Sequence, residues 1–110
     1  MTRYYSEEQT ITTVTRLTRS NLTTYVKHEF LSPTQSEAGP VYDAADLARI
    51  ELICDLSEQF DLEGDALGVV LSLIDQLHGV RGELRRVMGA VQAQPEKVRD
   101  RIIAVLKDQQ

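Results

Sequence analysis

The chain has few of the residues from which disulfide frameworks, metal clusters and catalytic centres are built. Its 110 residues include one cysteine, Cys54, two histidines and no tryptophan. A single cysteine excludes a disulfide framework within the chain, which is typical of proteins in a reducing compartment. Because Cys54 lies in the apolar run 50–56, we interpret it as a free buried thiol rather than a nucleophile, which would need a cationic neighbour.

Long hydrophobic runs are also missing. No apolar stretch approaches the roughly 18 residues that a membrane-spanning helix needs. The N-terminal sequence Met-Thr-Arg-Tyr-Tyr-Ser-Glu-Glu lacks the apolar core of a secretory signal. We therefore expect a cytoplasmic protein with no membrane partner.

Basic residues are outnumbered. The chain has 12 Lys and Arg against 17 Asp and Glu, which gives a formal net charge of −5. DNA-binding domains usually carry a basic excess, because much of their affinity comes from neutralising phosphates. The acidic balance therefore favours a basic protein surface as partner and makes nucleic acid an unfavourable one.

The length predicts a single domain over 1–110, with a head over about 5–60 and a helical tail over about 62–108.

The titratable residues do not form a catalytic or metal-binding pattern. His28 and His78 are far apart, and Asp75 with His78 could supply two ligands where a zinc site needs three or four. No glycine-rich loop follows a predicted strand, so a phosphate cradle is not indicated. We expect no catalytic residues, no metal and no cofactor, and therefore a binding protein rather than an enzyme.

The first half of the head predicts two short helices. The segment 6–9 matches a capping box, in which the side chains of a serine and of a glutamine three residues later each accept a hydrogen bond from the other residue's backbone amide. A helix is therefore predicted over about 7–15. A second helix is predicted to begin after Thr18 or Ser20 and to run through about His28. Two short helices joined by a tight turn are typical of a helix-turn-helix.

A small β-hairpin, or wing, is predicted next. The apolar residues 30–33 and 41–42 are interpreted as two extended pieces, and the polar segment 34–40, with its Gly-Pro pair, as the loop between them.

Asp43 then predicts the N-cap of a strong third helix that ends near 60–61. Acidic residues recur along this helix: Asp43, Asp46, Glu51, Asp55, Glu58 and Asp61. They are either a solvated face opposite the apolar stripe or a recognition surface for a basic partner.

A longer amphipathic helix is predicted to begin within 61–65, and a short final helix at Pro95. Apolar residues follow a heptad-like spacing that Arg81 alone interrupts, which predicts a self-association surface. Its residues are Leu67, Val70, Ile74, Leu77 and Leu84. The glycines of 79–82 either break the helix or let another helix approach closely, and the sequence leaves both possibilities open.

Two segments resemble a known family. Leu22-Thr-Thr-Tyr25-Val-Lys-His-Glu-Phe30-Leu31-Ser-Pro33 resembles the recognition helix and wing entry of MerR-type regulators. Tyr42-Asp43-x-x-Asp46-Leu47-x-Arg49-Ile50 resembles their step into the third helix. The resemblance covers about residues 5 to 75 and implies a winged helix-turn-helix head with a tiny β-hairpin wing. With the long amphipathic helix and the short C-terminal helix that follow, the expected fold class is all-α.

Departures from the family pattern concern the groups that would bind DNA. Thr23 stands where the family usually has a phosphate-contacting Arg, Glu29 stands where it usually has Gly, and no Arg precedes Tyr42. A short acidic chain with these changes is similar to the CbpM-type chaperone-modulatory proteins. That resemblance implies binding to the J-domain of a CbpA-type, DnaJ-like co-chaperone and inhibition of its activity.

The hypothesis is then a homodimeric chaperone modulator whose acidic residues contact the J-domain. The candidate contacts are Glu51, Asp55, Glu58 and Asp61, with Glu29 as a second patch. The alternative is a MerR-like transcriptional regulator that contacts DNA through Arg16, Arg19 and Lys27.

Overall fold

A computed structural model describes residues 1–109. It contains a small antiparallel sheet and five helices, so the mainly helical fold is confirmed. The elements are β1 (Tyr5–Ser6), α1 (Glu7–Thr13), α2 (Arg19–Lys27), β2 (Thr34–Ser36), β3 (Gly39–Tyr42), α3 (Ala44–Phe60), α4 (Gly64–Gln92) and α5 (Glu96–Asp108). The chain divides into two compact units, and the division falls inside α4, after Leu71.

Both short helices begin where their caps predict. The Ser6 hydroxyl accepts a hydrogen bond from the Gln9 amide at 3.2 Å, and the Ser6 amide donates to the Gln9 side chain at 2.9 Å. The Thr18 hydroxyl accepts from the Asn21 amide at 3.1 Å, so Thr18 rather than Ser20 caps α2. Helix α1 is two residues shorter than predicted, because Val14 is already extended.

The hairpin lies partly inside the segment 34–40 that the sequence predicted to be its loop: β2 and the first half of β3 fall there, whereas Val41 and Tyr42 are extended as predicted. Strands β2 and β3 pair antiparallel, with Thr34 opposite Val41 and Ser36 opposite Gly39. Strand β1 adds a third, unpredicted strand on the other side of β3, with Tyr5 opposite Tyr42. The interpretation of 34–40 as a loop was wrong. Polar residues and a Gly-Pro pair are compatible with a loop, but they are equally compatible with a two-residue turn between exposed strands.

One hydrophobic core holds the first unit together. Helix α3 begins with a capping box in which the Asp46 amide donates to Asp43 at 2.8 Å. Leu67 and Leu71, from the first two turns of α4, are each 2% exposed and complete the core. The buried cluster consists of Val14, Leu17, Leu22, Tyr25, Leu31, Tyr42, Ile50, Ile53, Cys54, Leu67 and Leu71. The head therefore needs the start of α4 for its stability.

The second unit begins at Ser72 and buries very little. Helix α4 is continuous through Gly79 and Gly82, which excludes the break that the sequence had left open there. A Cβ placed on either glycine would meet no atom of the described residues within 4 Å, so these glycines do not accommodate a close contact there. Val91 is the one buried residue among 72–109. Apolar side chains of this unit thus remain open to solvent in the single chain.

Candidate partner-binding site

Three carboxylates of α3 surround one arginine from the connection between α1 and α2. The Arg16 guanidinium donates to Asp55 at 2.7 Å and to Glu58 at 3.2 Å, and it also pairs with Glu51. A further bond joins Arg16 to the Glu51 carbonyl oxygen at 3.3 Å. These contacts tie the α1–α2 connection to α3 across 35 to 42 residues of sequence. We call this group the Arg16 cluster.

The Arg16 cluster stays negative and accessible. The hydrogen bonds that Arg16 donates to Glu51, then to Asp55 and Glu58, raise the pKa of Arg16 above its ordinary value, so the guanidinium is charged at all accessible pH values. A single positive charge faces three carboxylates, whose side chains are 46–55% exposed. The structure thus places Glu51, Asp55 and Glu58 together on an accessible face, and Arg16 offsets part of their charge.

Arg19 is also held inside the chain. Its guanidinium donates to Glu8 at 2.6 Å and pairs with Glu7, both in the first turn of α1. The hydrogen bond to Glu8 and the charges of both carboxylates raise the pKa of Arg19. Arg16 and Arg19 are two of the three basic residues that the DNA-binding hypothesis would use, and both already pair with acidic side chains.

Helix α2 and helix α3 both end in a left-handed turn at an acidic residue. Glu29 has a φ of 62° and Asp61 a φ of 54°. After α2, the Phe30 amide donates to the Tyr25 carbonyl oxygen at 2.9 Å, which closes the C-terminal capping motif that normally has glycine at the position of Glu29. Both positions thus combine an unfavourable backbone conformation with a negative charge at the negative end of a helix dipole.

A groove of 360 Å³ lies between these two helix ends and the start of α4. Tyr25, Phe30, Leu62 and Leu67 provide its apolar wall, while His28 and Glu63 are among its polar lining residues. In the sequence, Glu29 lies between the lining residues His28 and Phe30, and Asp61 immediately precedes the lining residue Leu62. We call this feature the α2–α4 groove. Glu29 and Asp61, which the sequence assigned to partner binding, are therefore sequence neighbours of the lining residues, and Glu63 is the acidic residue that lines the groove itself.

The residues predicted for self-association do not form one exposed surface. Leu67 lies in the core of the head, which corrects its assignment to a self-association surface. Val70 and Ile74 are half-buried, whereas Leu77 and Leu84 are 49% and 58% exposed. The pattern alone could not separate them, since the same spacing serves the core of the head and the outer part of α4.

A second set of apolar residues on α4 is exposed and was not assigned to the surface. Leu73, Val80 and Val87 are 58–60% exposed. Together with Leu77 and Leu84, they continue a spacing of three and four residues that avoids Arg81. Arg81 interrupts the heptad register that was predicted for self-association, whereas no charged residue interrupts the register of these exposed residues. This difference is the sequence feature that distinguishes the two registers.

The described part of the chain contains no metal site, no reactive thiol and no membrane-spanning helix. Among residues 1–109, no group of three or more His, Cys, Asp or Glu side chains is placed to bind a metal ion. Cys54 is buried, and desolvation raises the pKa of its thiol even though Arg16 acts in the opposite direction. Within the same residues, each helix is too short or too polar to cross a bilayer.

Comparison with known proteins identifies no relative. No family model matches the chain, and no curated protein or solved structure matches it. Arguments about its function therefore rest on the residues and geometry described above.

Proposed function

We propose that the chain is a chaperone modulator that binds the J-domain of a CbpA-type, DnaJ-like co-chaperone in the cytoplasm and inhibits it without catalysing a reaction. The observation that carries the proposal is the pairing of Arg16 and Arg19 with acidic side chains. The basic residues near α2 are thereby engaged within the chain, while the carboxylates around them remain exposed. Such a surface attracts a basic partner and repels phosphates.

The proposed mechanism is competition for a basic helix. J-domains present a basic helix to the chaperone they serve, and an acidic surface that covers this helix would prevent that contact. Glu51, Asp55 and Glu58 contribute one acidic patch, and Glu29 with Asp61 contributes another. Charge complementarity of this kind accelerates encounter and selects the partner, while affinity also requires desolvated anchoring contacts.

A charge reversal with a matched control tests the contact surface. The double substitution Asp55→Lys and Glu58→Lys is expected to abolish co-purification with a J-domain protein, because it replaces attraction by repulsion. It also disrupts the Arg16 cluster, so Arg16→Gln is the control: this variant loses the ion pairs with Asp55 and Glu58, together with the one to Glu51, but keeps every carboxylate. We expect Arg16→Gln to bind the J-domain at least as well as the unmodified chain.

Two outcomes would contradict the proposed surface. Undiminished binding by the double variant would show that the carboxylates of α3 do not contact the partner. Equal loss of binding in Arg16→Gln would show that the double variant fails through the loss of the cluster's structural role rather than through its charge.

We further propose that the chain forms a homodimer through the outer part of α4. Apolar side chains of α4 and α5 are 40–60% exposed in the single chain, and a stable interface between two chains is built by burying such side chains. A second copy is the natural occupant because heptad-spaced helices pack against one another in register. The exposed residues are Leu73, Leu77, Val80, Leu84, Val87, Val98, Val105 and Leu106.

Sedimentation equilibrium tests the dimer. The double substitution Leu77→Asp and Leu84→Asp places charges in the apolar seam and is expected to give a monomer. His78→Asp adds a charge at an exposed neighbouring position of the same helix and should leave the dimer intact. A monomeric unmodified chain at tens of micromolar would contradict the proposal.

The alternative function is DNA binding by a MerR-like regulator. The observation that favours it is the exposed side of α2, where Thr23 and Lys27 face solvent beside the β2–β3 hairpin. This hypothesis predicts retardation of promoter DNA at low salt and a steep loss of affinity as salt is raised. The absence of a retarded species at low salt would exclude it.

A further inference from the structure

The α2–α4 groove combines three properties that the Arg16 cluster lacks. It is concave, with a volume of 360 Å³. One side is aromatic and aliphatic, through Tyr25, Phe30 and Leu67. Its acidic residues have no basic partner: within residues 1–109, Glu29, Asp61 and Glu63 form no ion pair. The groove therefore offers unneutralised carboxylates beside an apolar wall.

The electrostatic field at the groove has more than one source of negative charge. Helices α2 and α3 both end at its edges, and the C-terminal end of a helix carries a partial negative charge. The carboxylate of Glu63 lines the groove, and Glu29 and Asp61 lie at the two helix ends. These negative charges favour a cation at the rim of the groove. The N-terminal end of α4, which begins at Gly64 in the same lining, carries a partial positive charge that offsets part of them.

A long basic side chain fits both the apolar wall and the acidic rim of the groove. The methylene stem of Lys or Arg packs on apolar and aromatic surface while its charged end stays at the polar edge. The same cation gains from the faces of nearby aromatic rings. Phe30 is well placed for such a contact because its ring is held in position by stacking on His28, with ring centroids 5.5 Å apart.

We propose that the α2–α4 groove receives one Lys or Arg side chain from a basic amphipathic helix, and that this contact anchors the partner on the head. The identity of that helix as part of a J-domain rests on the function proposed above, whereas the chemistry of the groove does not. In this arrangement the Arg16 cluster steers the partner by charge, and the groove supplies the desolvated contact that determines how long the complex lasts.

The experiment compares two charge reversals of equal size in the full-length chain. Glu63→Lys changes a residue that lines the groove, and Glu37→Lys changes an exposed residue of the β2–β3 turn. Both variants shift the net charge equally, so a nonspecific electrostatic effect would weaken both alike. We expect Glu63→Lys to weaken binding to an isolated J-domain roughly tenfold or more, and Glu37→Lys to change it less than about twofold.

Amide chemical shifts locate the contact and separate the two proposals. Binding of the J-domain should shift the amides of Asn21, His28 and Gly64, which line the groove. If the J-domain binds, but Glu63→Lys has no effect and these amides do not move, the groove assignment is overturned while the proposed function stands.

If the J-domain does not bind at all, the proposed function fails, and a synthetic amphipathic Lys/Leu helix then tests the groove. Shifts of the same amides that are lost in Glu63→Lys and kept in Glu37→Lys would support the groove. Their absence would overturn it.

Discussion

Replacing Glu29 by glycine should make the protein more stable and a poorer binder. An L-residue in the left-handed conformation costs about 1–2 kcal/mol, and Glu29 holds this conformation with a φ of 62°. Glycine removes that cost, but it also raises the conformational entropy of the unfolded chain, which lowers the gain in stability by about 0.4–1 kcal/mol. The net gain should be close to 1 kcal/mol, or a rise in Tm of about 4 °C for a chain of this size.

Thermal and urea unfolding of three variants isolates the backbone effect. Glu29→Gln and Glu29→Ala both remove the charge from the end of α2 but keep a side chain in the left-handed conformation, so each should gain only a fraction of what glycine gains. All three should bind the J-domain more weakly, because the acidic edge of the groove is lost. A glycine variant no more stable than Glu29→Ala would refute the argument from backbone conformation.

Three further predictions follow from the core and its titratable groups. Leu71→Ala should destabilise the head by about 2–5 kcal/mol, since Leu71 is 2% exposed; a loss below 1 kcal/mol in urea unfolding would show that α4 is not part of this core. Cys54 should react with iodoacetamide at pH 8 only as fast as the head opens, because burial raises the pKa of its thiol; rapid alkylation under native conditions would contradict its position. Burial also raises the pKa of Asp46 above 3.8, so its ionisation opposes folding. The stability that it contributes is complete below pH 3.8 and is lost as the pH rises through the raised pKa, so Asp46→Asn should gain stability relative to the unmodified chain as the pH rises from 3.8 through that pKa; a constant difference would refute this.

Local signals in the sequence predicted the helix starts well. The caps at Ser6, Thr18 and Asp43 depend on residues within three positions, and the structure contains all three. The end of α3 near Asp61 was predicted for the same reason. The continuity of α4 was left open because helix propensity penalises Gly79 and Gly82 without deciding whether the helix breaks.

Contacts between distant residues could not be obtained from the same signals. The Arg16 cluster joins residues separated by 35 to 42 positions, so a helix-by-helix interpretation left Arg16 free for DNA. Strand β1 was missed because its two residues are defined only by pairing with β3. Leu67 was assigned to a surface because its burial depends on where α4 meets the head. The assignment of Glu29 and Asp61 to partner binding stays a prediction, and only the fold shows that both are neighbours of residues that line one groove.

Calorimetric titration of the full-length chain with an isolated J-domain from a CbpA-type protein is the most direct test of the proposed function. Binding through acidic carboxylates to a basic helix predicts a saturable isotherm whose affinity falls as salt is raised from low to physiological ionic strength. No binding at low salt, together with specific retardation of promoter DNA by the same preparation, would contradict the chaperone-modulator proposal and favour the DNA-binding alternative.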